Sequence, residues 1–361
     1  MKMNLNAFMV VIFFLLFLSG SSSAAKLVPA NDPRTEYFGR WDKSDPVNYR
    51  HSWPGVFIVA VFDGDSVGVR MSDTTNYYDV YVDGRLHSVF HGTASGDADY
   101  ILADSLVGGR HTLRFSQRNI SFGIYSFSGL MISDSASLYQ PPPIPLRRIE
   151  FIGDSFTAAE GNEATLPEMN WQDKFPVTDI DSGFATMVAR NFNADYHITA
   201  RSGIGTVCDW QGKLDICMPH YFNRTLMESP EPKWDFRNWT PDLVVICLGL
   251  NDHSGLRGKD GNVSEKNSKI FQEGYETFLD TLLRVYPGVP ILAVSSYEEW
   301  IVQNVERVID EEHAAGHKDI QFASFGFYPG GYVANSHPTV ASHKRIAAVI
   351  IKAIDDMKVY K

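Results

Sequence analysis

The run Pro141-Pro142-Pro143-Ile144-Pro145 divides this 361-residue chain into two stretches with different periodicities. Each proline fixes φ and removes a backbone donor, so neither a helix nor a sheet ladder passes through such a run, which is stiff in the polyproline conformation. Before it, short β-prone runs recur: Val56 to Phe62, Val67 to Met71, Tyr77 to Val82, His111 to Phe115 and Phe122 to Phe127, punctuated by Asp83-Gly84 and Gly108-Gly109. That spacing predicts a β-sandwich over residues 25–140, with 141–148 as linker. After it, strand-like runs alternate with helical ones: Ile149 to Ile152, Ser182 to Phe192, Tyr196 to Ala200, Leu243 to Leu248, a helix within Glu265 to Val285, Ile291 to Ser295, Glu299 to Ala314 and Thr339 to Met357. Alternation of this kind predicts a parallel sheet covered by helices over 149–361, with ligands at the carboxyl ends of the strands.

Met1-Lys2-Met3, the apolar run Ala7 to Leu18 and the small residues Ser19 to Ala24 have the layout of a secretory signal peptide over residues 1–24. The apolar run is short for a bilayer span, and a retained anchor is the alternative. The mature protein is expected to be secreted, free of the membrane and monomeric. Sequons at Asn119, Asn223, Asn238 and Asn262 fit a secreted glycoprotein. Of three cysteines, Cys247 lies in an apolar run and reads as a buried thiol, which leaves Cys208 with Cys217 as the one plausible disulfide. A formal charge of −11 argues against a nucleic-acid or anionic-membrane partner and is compatible with a small neutral substrate or a polysaccharide.

The chemistry concentrates where strands end. Ser155 closes Ile149-Glu150-Phe151-Ile152-Gly153-Asp154-Ser155, a buried strand delivering a serine into a turn. It is a candidate nucleophile, and it fits a helix N-cap equally well when taken alone. The surrounding residues are not Gly-x-Ser-x-Gly, so an α/β-hydrolase elbow is not indicated, and Asp154 reads as a turn-forming carboxylate. Ser202-Gly203-Ile204-Gly205 offers backbone N–H groups that can approach a ligand closely. Asn251, in Gly249-Leu250-Asn251-Asp252, can aim an amide at a developing oxyanion or simply form an Asn-Asp turn. His337 precedes Pro338, which places it on an exposed loop before the last helix as a candidate base. His313 and His317 have helical i, i+4 spacing, but Gly316 between them marks a fraying end, and His343 falls within the last helix, so no metal site and no cofactor is read from the chain.

Gly153-Asp154-Ser155, the glycines at 203 and 205, Gly249-Leu250-Asn251-Asp252 and His337-Pro338 resemble the four blocks of the SGNH hydrolase superfamily. Tyr37-Phe38-Gly39-Arg40-Trp41, Trp53-Pro54-Gly55, Val82-Asp83-Gly84, the stretch Leu106 to Thr112 and the stretch Arg147 to Ser155 resemble carbohydrate esterase family 2. The resemblance implies an N-terminal jelly-roll sandwich followed by a three-layer α/β/α SGNH domain. It further implies deacetylation of O-acetylated polysaccharide, such as acetylxylan or acetylated mannan, without a cofactor. Ser155 would be the nucleophile and His337 the base, with the N–H of Ser155, that of Gly203 or Gly205, and the Asn251 side chain holding the oxyanion. The chain departs from the pattern at Ala334, where many SGNH enzymes carry an aspartate, and the resemblance then implies a Ser-His dyad whose histidine is oriented by a backbone carbonyl. Ser336 stands where an aromatic would stack on a sugar, so Trp210, Trp300, Tyr297 and Tyr332 are the candidate substitutes. The alternatives are an esterase acting on lipid or aryl esters and a carbohydrate-binding protein on an inactive hydrolase domain.

Overall fold

The computed structural model describes residues 25–360, so the leader at 1–24 lies outside the described residues. The N-terminal half forms two antiparallel sheets. One runs in the order Trp41–Asp42, Tyr49–His51, Tyr125–Ser133, Val67–Ser72, Ala98–Ala103, and Ala25–Pro29 also pairs with Tyr125–Ser133. The other runs Leu138–Tyr139, Phe57–Asp63, Arg110–Gln117, Tyr77–Val82, Arg85–His91, and Thr35–Phe38 adds to Phe57–Asp63. Alternate residues of both sheets, among them Ile58, Ala60, Phe62, Val69, Met71, Val80, Leu113, Phe115 and Leu130, close into one core.

Two of these strands, Arg85–His91 and Ala98–Ala103, are not among the runs singled out by the sequence: most of Arg85–His91 faces solvent, and in Ala98–Ala103 only Leu102 and Ala103 are buried. The run Phe122 to Phe127 is displaced as well: its strand starts only at Tyr125, whose hydroxyl would lie 2.4 Å from a side chain at Gly123. The tyrosine folds back over the glycine and excludes it from the ladder.

The C-terminal half contains β1 (Arg147–Gly153), α1 (Phe184–Asn191), β2 (Ala194–Ala200), β3 (Leu243–Cys247), α2 (Leu250–Leu256), α3 (Glu265–Val285), β4 (Ile291–Ser295), α4 (Glu299–Ala315), β5 (Ile320–Ser324) and α5 (Val340–Met357). The five strands are parallel in the order β2-β1-β3-β4-β5. The helices α1 and α5 pack on one face and α3 and α4 on the other, each burying an apolar stripe against the sheet, whose strands other than β5 are mostly buried. Strand order reverses between β1 and β3, and that switch point is where an open sheet of this kind holds its ligand. The strand β5 was not legible, since its Gln321 and Ser324 are exposed.

The two halves share buried contacts. Phe38 and Phe57 of the sandwich stack at 4.2 Å and join the core that contains Tyr196 and Ile198 of β2. Arg40, 1% exposed, crosses from the sandwich to Glu150 of β1 at 2.7 Å. Glu150 also receives the hydroxyls of Thr199, at 2.7 Å, and Tyr286, at 2.6 Å. Among the described residues no helix is long and apolar enough to cross a membrane.

Two expectations fail on burial. Cys208 and Cys217 are both free: Cys208 packs with Met218 and Phe271 with its sulfur against Gly255, whereas the Cys217 sulfur faces His220 Nδ1 at 3.5 Å. Asn119 is fully buried and its amide donates to Asn76 Oδ1 and Ile120 O, which leaves no room for a glycan; Asn223, Asn238 and Asn262 are exposed.

Candidate active site

Strand register brings the blocks to one level. Gly153 lies opposite Ala200 on one side and Cys247 on the other, so Ser155, Ser202 and Gly249 all emerge two residues beyond the same rung. Position 153 must be glycine because a side chain there would meet Thr157 Oγ1 at 2.0 Å and Cys247 O at 2.9 Å. The turn that follows is tied by Phe156 N–H donating to Asp154 Oδ1 at 2.9 Å. Asp154 thus takes the turn-forming place, not that of an acid in contact with substrate. Its burial raises the carboxyl to about 7, with Asp252 and Glu160 adding repulsion.

The glycine block resolves into two different uses. Gly205 N–H donates to Cys208 O at 2.8 Å, and a side chain at 205 would strike Asp252 Oδ2 at 2.4 Å, so Gly205 serves the packing of the loop. Asp252 accepts the N–H groups of Thr206 and Val207 at 2.8 and 2.7 Å and is raised to about 6 by its burial. Gly203 has φ +77°, and its N–H makes no hydrogen bond among the described residues; nor does that of Ser155. Of the two glycines, Gly203 is therefore the one with a donor to spare. Asn251 gives one amide hydrogen to Ile204 O at 2.8 Å and the other, at a longer 3.2 Å, to Asp154 Oδ2. The first bond fixes the amide, and the second is the one a substrate oxygen can replace.

His337 is held by an unusual turn. Ala334, Asn335 and Ser336 all have positive φ, at 46°, 67° and 66°, a conformation that costs non-glycine residues energy and persists only where the surroundings enforce it. Enforcement comes from Ala334 N–H to Leu166 O at 2.8 Å and Asn335 N–H to Pro167 O at 2.7 Å. The turn aims Ala334 O at His337 Nδ1, 2.7 Å away, which sets the tautomer with Nε2 unprotonated. The histidine is mostly buried, not on an exposed loop as expected, and it pairs with Val333 in a two-residue ladder. Pro338 lies outside the helix, whose N-cap is Thr339. Burial desolvates the imidazolium and holds its pKa below the usual 6.5. A histidine serving as base acts in its neutral form, so with His337 in that role the acid limb of kcat/KM is expected below pH 6.5; a limb above 6.5 in a pH–rate profile contradicts the role.

The nucleophile loop and the histidine loop touch at several points. The Phe156 and His337 rings lie 5.8 Å apart, Val340 N–H donates to Asn162 O, and a side chain at Gly161 would meet Ala334 Cβ at 2.7 Å. Ser155 Oγ makes no hydrogen bond among the described residues. His337 Nε2 faces Glu160 Oε1 at 3.5 Å. Glu160, five residues after the serine, was not singled out by the sequence, since a lone glutamate in a turn carries no signature.

Of the aromatic candidates, Trp210 is 56% exposed and lies beside Gly203, where a side chain would meet its Cδ1 at 2.9 Å. Tyr332 stacks on Phe327 at 5.0 Å, and Tyr297 packs edge-on to both. Phe327, half exposed, extends this wall next to Phe156 and His337 and was missed because it stands alone in sequence. Trp300 does not join them: its ring stacks on His253 and its indole donates to Ser268 Oγ, so it packs α4 against α2 and α3. His313 Nε2 donates to Ile320 O, His317 pairs with Glu312, and His343 accepts from Phe184 N–H in the core, so these histidines serve structure.

Residues 151–358 match the GDSL-like Lipase/Acylhydrolase family, and residues 37–142 match the Carbohydrate esterase 2 N-terminal domain. The chain is 33% identical over 215 residues to an acetylxylan esterase / glucomannan deacetylase of Cellvibrio japonicus, covering 58% of each protein. It is 28% identical over 326 residues to the cellulase/esterase CelE of Acetivibrio thermocellus, covering 88% of this chain and 39% of that one. The chain thus spans about two fifths and three fifths of the length of these curated relatives. A family two carbohydrate esterase from Clostridium thermocellum, solved in complex with cellohexaose, superposes with a TM-score of 0.81 at 27% identity, covering 89% of this chain and 98% of that one. With its sandwich, its switch-point serine and these matches taken together, the chain belongs to the GDSL-like lipase/acylhydrolase family, in the two-domain form of the family 2 carbohydrate esterases.

Proposed function

We propose that the protein is a secreted serine esterase that removes acetyl groups from polysaccharide, acetylxylan or acetylated mannan, through a Ser155–His337 dyad. The observation that carries the mechanism is the 2.7 Å contact of His337 Nδ1 with Ala334 O, which leaves Nε2 as a proton acceptor while the N–H groups of Ser155 and Gly203 have no partner among the described residues. In this reading Ser155 Oγ attacks the acetyl carbonyl and its proton passes to His337 Nε2. The carbonyl oxygen, now negative, is held by the N–H groups of Ser155 and Gly203 and by the Asn251 amide. Collapse breaks the bond to the sugar oxygen, which takes the proton from Nε2. Water then attacks the acetyl-Ser155 ester with His337 again accepting a proton, and acetate leaves with Ser155 restored. The leader at 1–24 and the exposed sequons at Asn223, Asn238 and Asn262 support export and glycosylation. The names of the relatives support the polysaccharide substrate.

Acetate release from acetylxylan, acetylated glucomannan and a p-nitrophenyl ester series by wild type and Ser155→Ala tests this. Preference for long acyl chains would favour a lipid esterase, and sugar binding without hydrolysis would favour a lectin. Trp210→Ala is expected to raise KM for acetylated oligosaccharide by about 3- to 10-fold, the equivalent of one aromatic contact, and to leave KM for p-nitrophenyl acetate unchanged. An equal rise for both substrates would remove Trp210 from the sugar site.

A further inference from the structure

The histidine loop contains no carboxylate, yet a carboxylate reaches His337 from another direction. Glu160 belongs to the nucleophile's own turn. Its neighbours Ala159 and Gly161 both have positive φ, at 54° and 64°, which swings the side chain inward, and Gly161 allows the turn to close on Ala334. The carboxylate is 4% exposed and fully engaged. Oε1 meets Lys174 Nζ at 2.7 Å and His337 Nε2 at 3.5 Å, and Oε2 accepts the hydroxyl of Ser202, the residue before Gly203.

We propose that Glu160 is the positioning carboxylate of this site, stabilising protonated His337 from the Nε2 side and anchoring the Gly203 turn, with Lys174 offsetting its charge. The inference rests on the Ser155–His337 reading. When Nε2 takes the serine proton, a positive charge appears 3.5 Å from Oε1 in a buried setting, where an ion contact is worth far more than in water. The 3.5 Å gap matters: Nε2 is near enough to feel the charge but not committed to a hydrogen bond that would keep it from Ser155. Lys174 opposes the effect, so the pair sets the basicity of the histidine between two limits. Burial lowers the pKa of His337, and the two charges act on it with these signs, Glu160 raising it and Lys174 lowering it. The other titratable groups on this side are His343 of α5, which feels the charge of His337, Tyr332 of the short ladder, and Asp154 of the turn after β1, which faces Glu160.

The test is the pH profile of kcat/KM for acetate release by four proteins: wild type, Glu160→Gln, Lys174→Met and the double variant. Glu160→Gln removes the stabilising charge and is expected to move the acid limb to lower pH and cut kcat about 10-fold or more with KM little changed, a tenfold change corresponding to one pH unit. Lys174→Met is expected to move the limb to higher pH, and the double variant to return it toward wild type. Opposed shifts of this kind do not arise from loosened packing, which would move all three in one direction. Glu160→Gln leaves the Lys174 charge buried without its partner and risks the fold; if circular dichroism shows it unfolded, the order of wild type, Lys174→Met and the double variant decides. Limbs that coincide with wild type in the folded variants, or that all shift the same way, overturn the proposal. Activity surviving in Ser155→Ala would instead overturn the dyad itself, so the two failures are distinguishable.

Discussion

Ser155→Ala and His337→Ala are each expected to lower kcat for acetate release by on the order of 10⁵-fold or more, and the double variant to be little worse than either. In the proposed dyad the two residues act as a unit. Without the serine there is no oxygen to carry the acetyl group, and without Nε2 the hydroxyl must lose its proton to water. The residual rate would come from the N–H groups of Ser155 and Gly203 and from Asn251, which neither substitution removes. The structural cost is small, because neither side chain is a core apolar group and the Ala334 turn is held by Leu166 and Pro167. Asn335→Gly is the matching control: its side chain accepts only the exposed Met169 N–H at 3.1 Å, and glycine tolerates φ +67°, so activity should stay within about 3-fold. Steady-state acetate release, with thermal melts to show that each variant is folded, checks the set. A single variant retaining a tenth of wild-type kcat would refute the dyad.

Arg40→Ala is expected to be the most damaging stability change, at about 3 to 5 kcal/mol, because removing one partner of a buried pair leaves the other charge uncompensated. The guanidinium is nearly inaccessible. It donates to Glu150 at 2.7 Å and to the carbonyls of Phe222 and Arg224 at 2.5 and 3.1 Å, and it lies 5.2 to 5.7 Å from the ring centres of Trp53, Phe222, Trp234 and Phe236. Alanine would abandon Glu150 in the middle of β1, where only the hydroxyls of Thr199 and Tyr286 remain. Since Arg40 comes from the sandwich and Glu150 from the strand leading to Ser155, the loss should also loosen the two halves. Guanidinium titration of Arg40→Ala, Glu150→Gln and the double variant measures it. The double variant should lose less than the sum of the singles, and strict additivity would show that the pair does not couple.

Much of this protein follows from local patterns. The proline break, the alternation of apolar runs with helical stretches, and glycine, serine and asparagine at strand ends are properties of neighbouring residues, so the two-domain architecture and the placing of Ser155 and Asn251 just past strand ends were legible before any coordinates, whereas His337 was read on an exposed loop and is mostly buried. The strands Arg85–His91 and Ala98–Ala103 were not legible: the first has no buried residue and in the second only Leu102 and Ala103 are buried, so neither shows a sustained alternation of apolar and polar positions. What the sequence left open was settled by groups distant along the chain. Gly203 keeps a free N–H among the described residues because Cys208 O claims that of Gly205 and not its own. Cys208 and Cys217 look paired in sequence, yet packing turns their sulfurs to different neighbours. The missing aspartate at 334 is answered by three left-handed residues that bend a carbonyl onto His337, and the carboxylate near that ring arrives from Glu160, 177 positions away in the chain. Sequence alone determined which residues can do chemistry and on which strand ends they stand; only tertiary packing decided which donors remain free and which charge faces the base, because hydrogen bonds and burial depend on what other segments bring into contact.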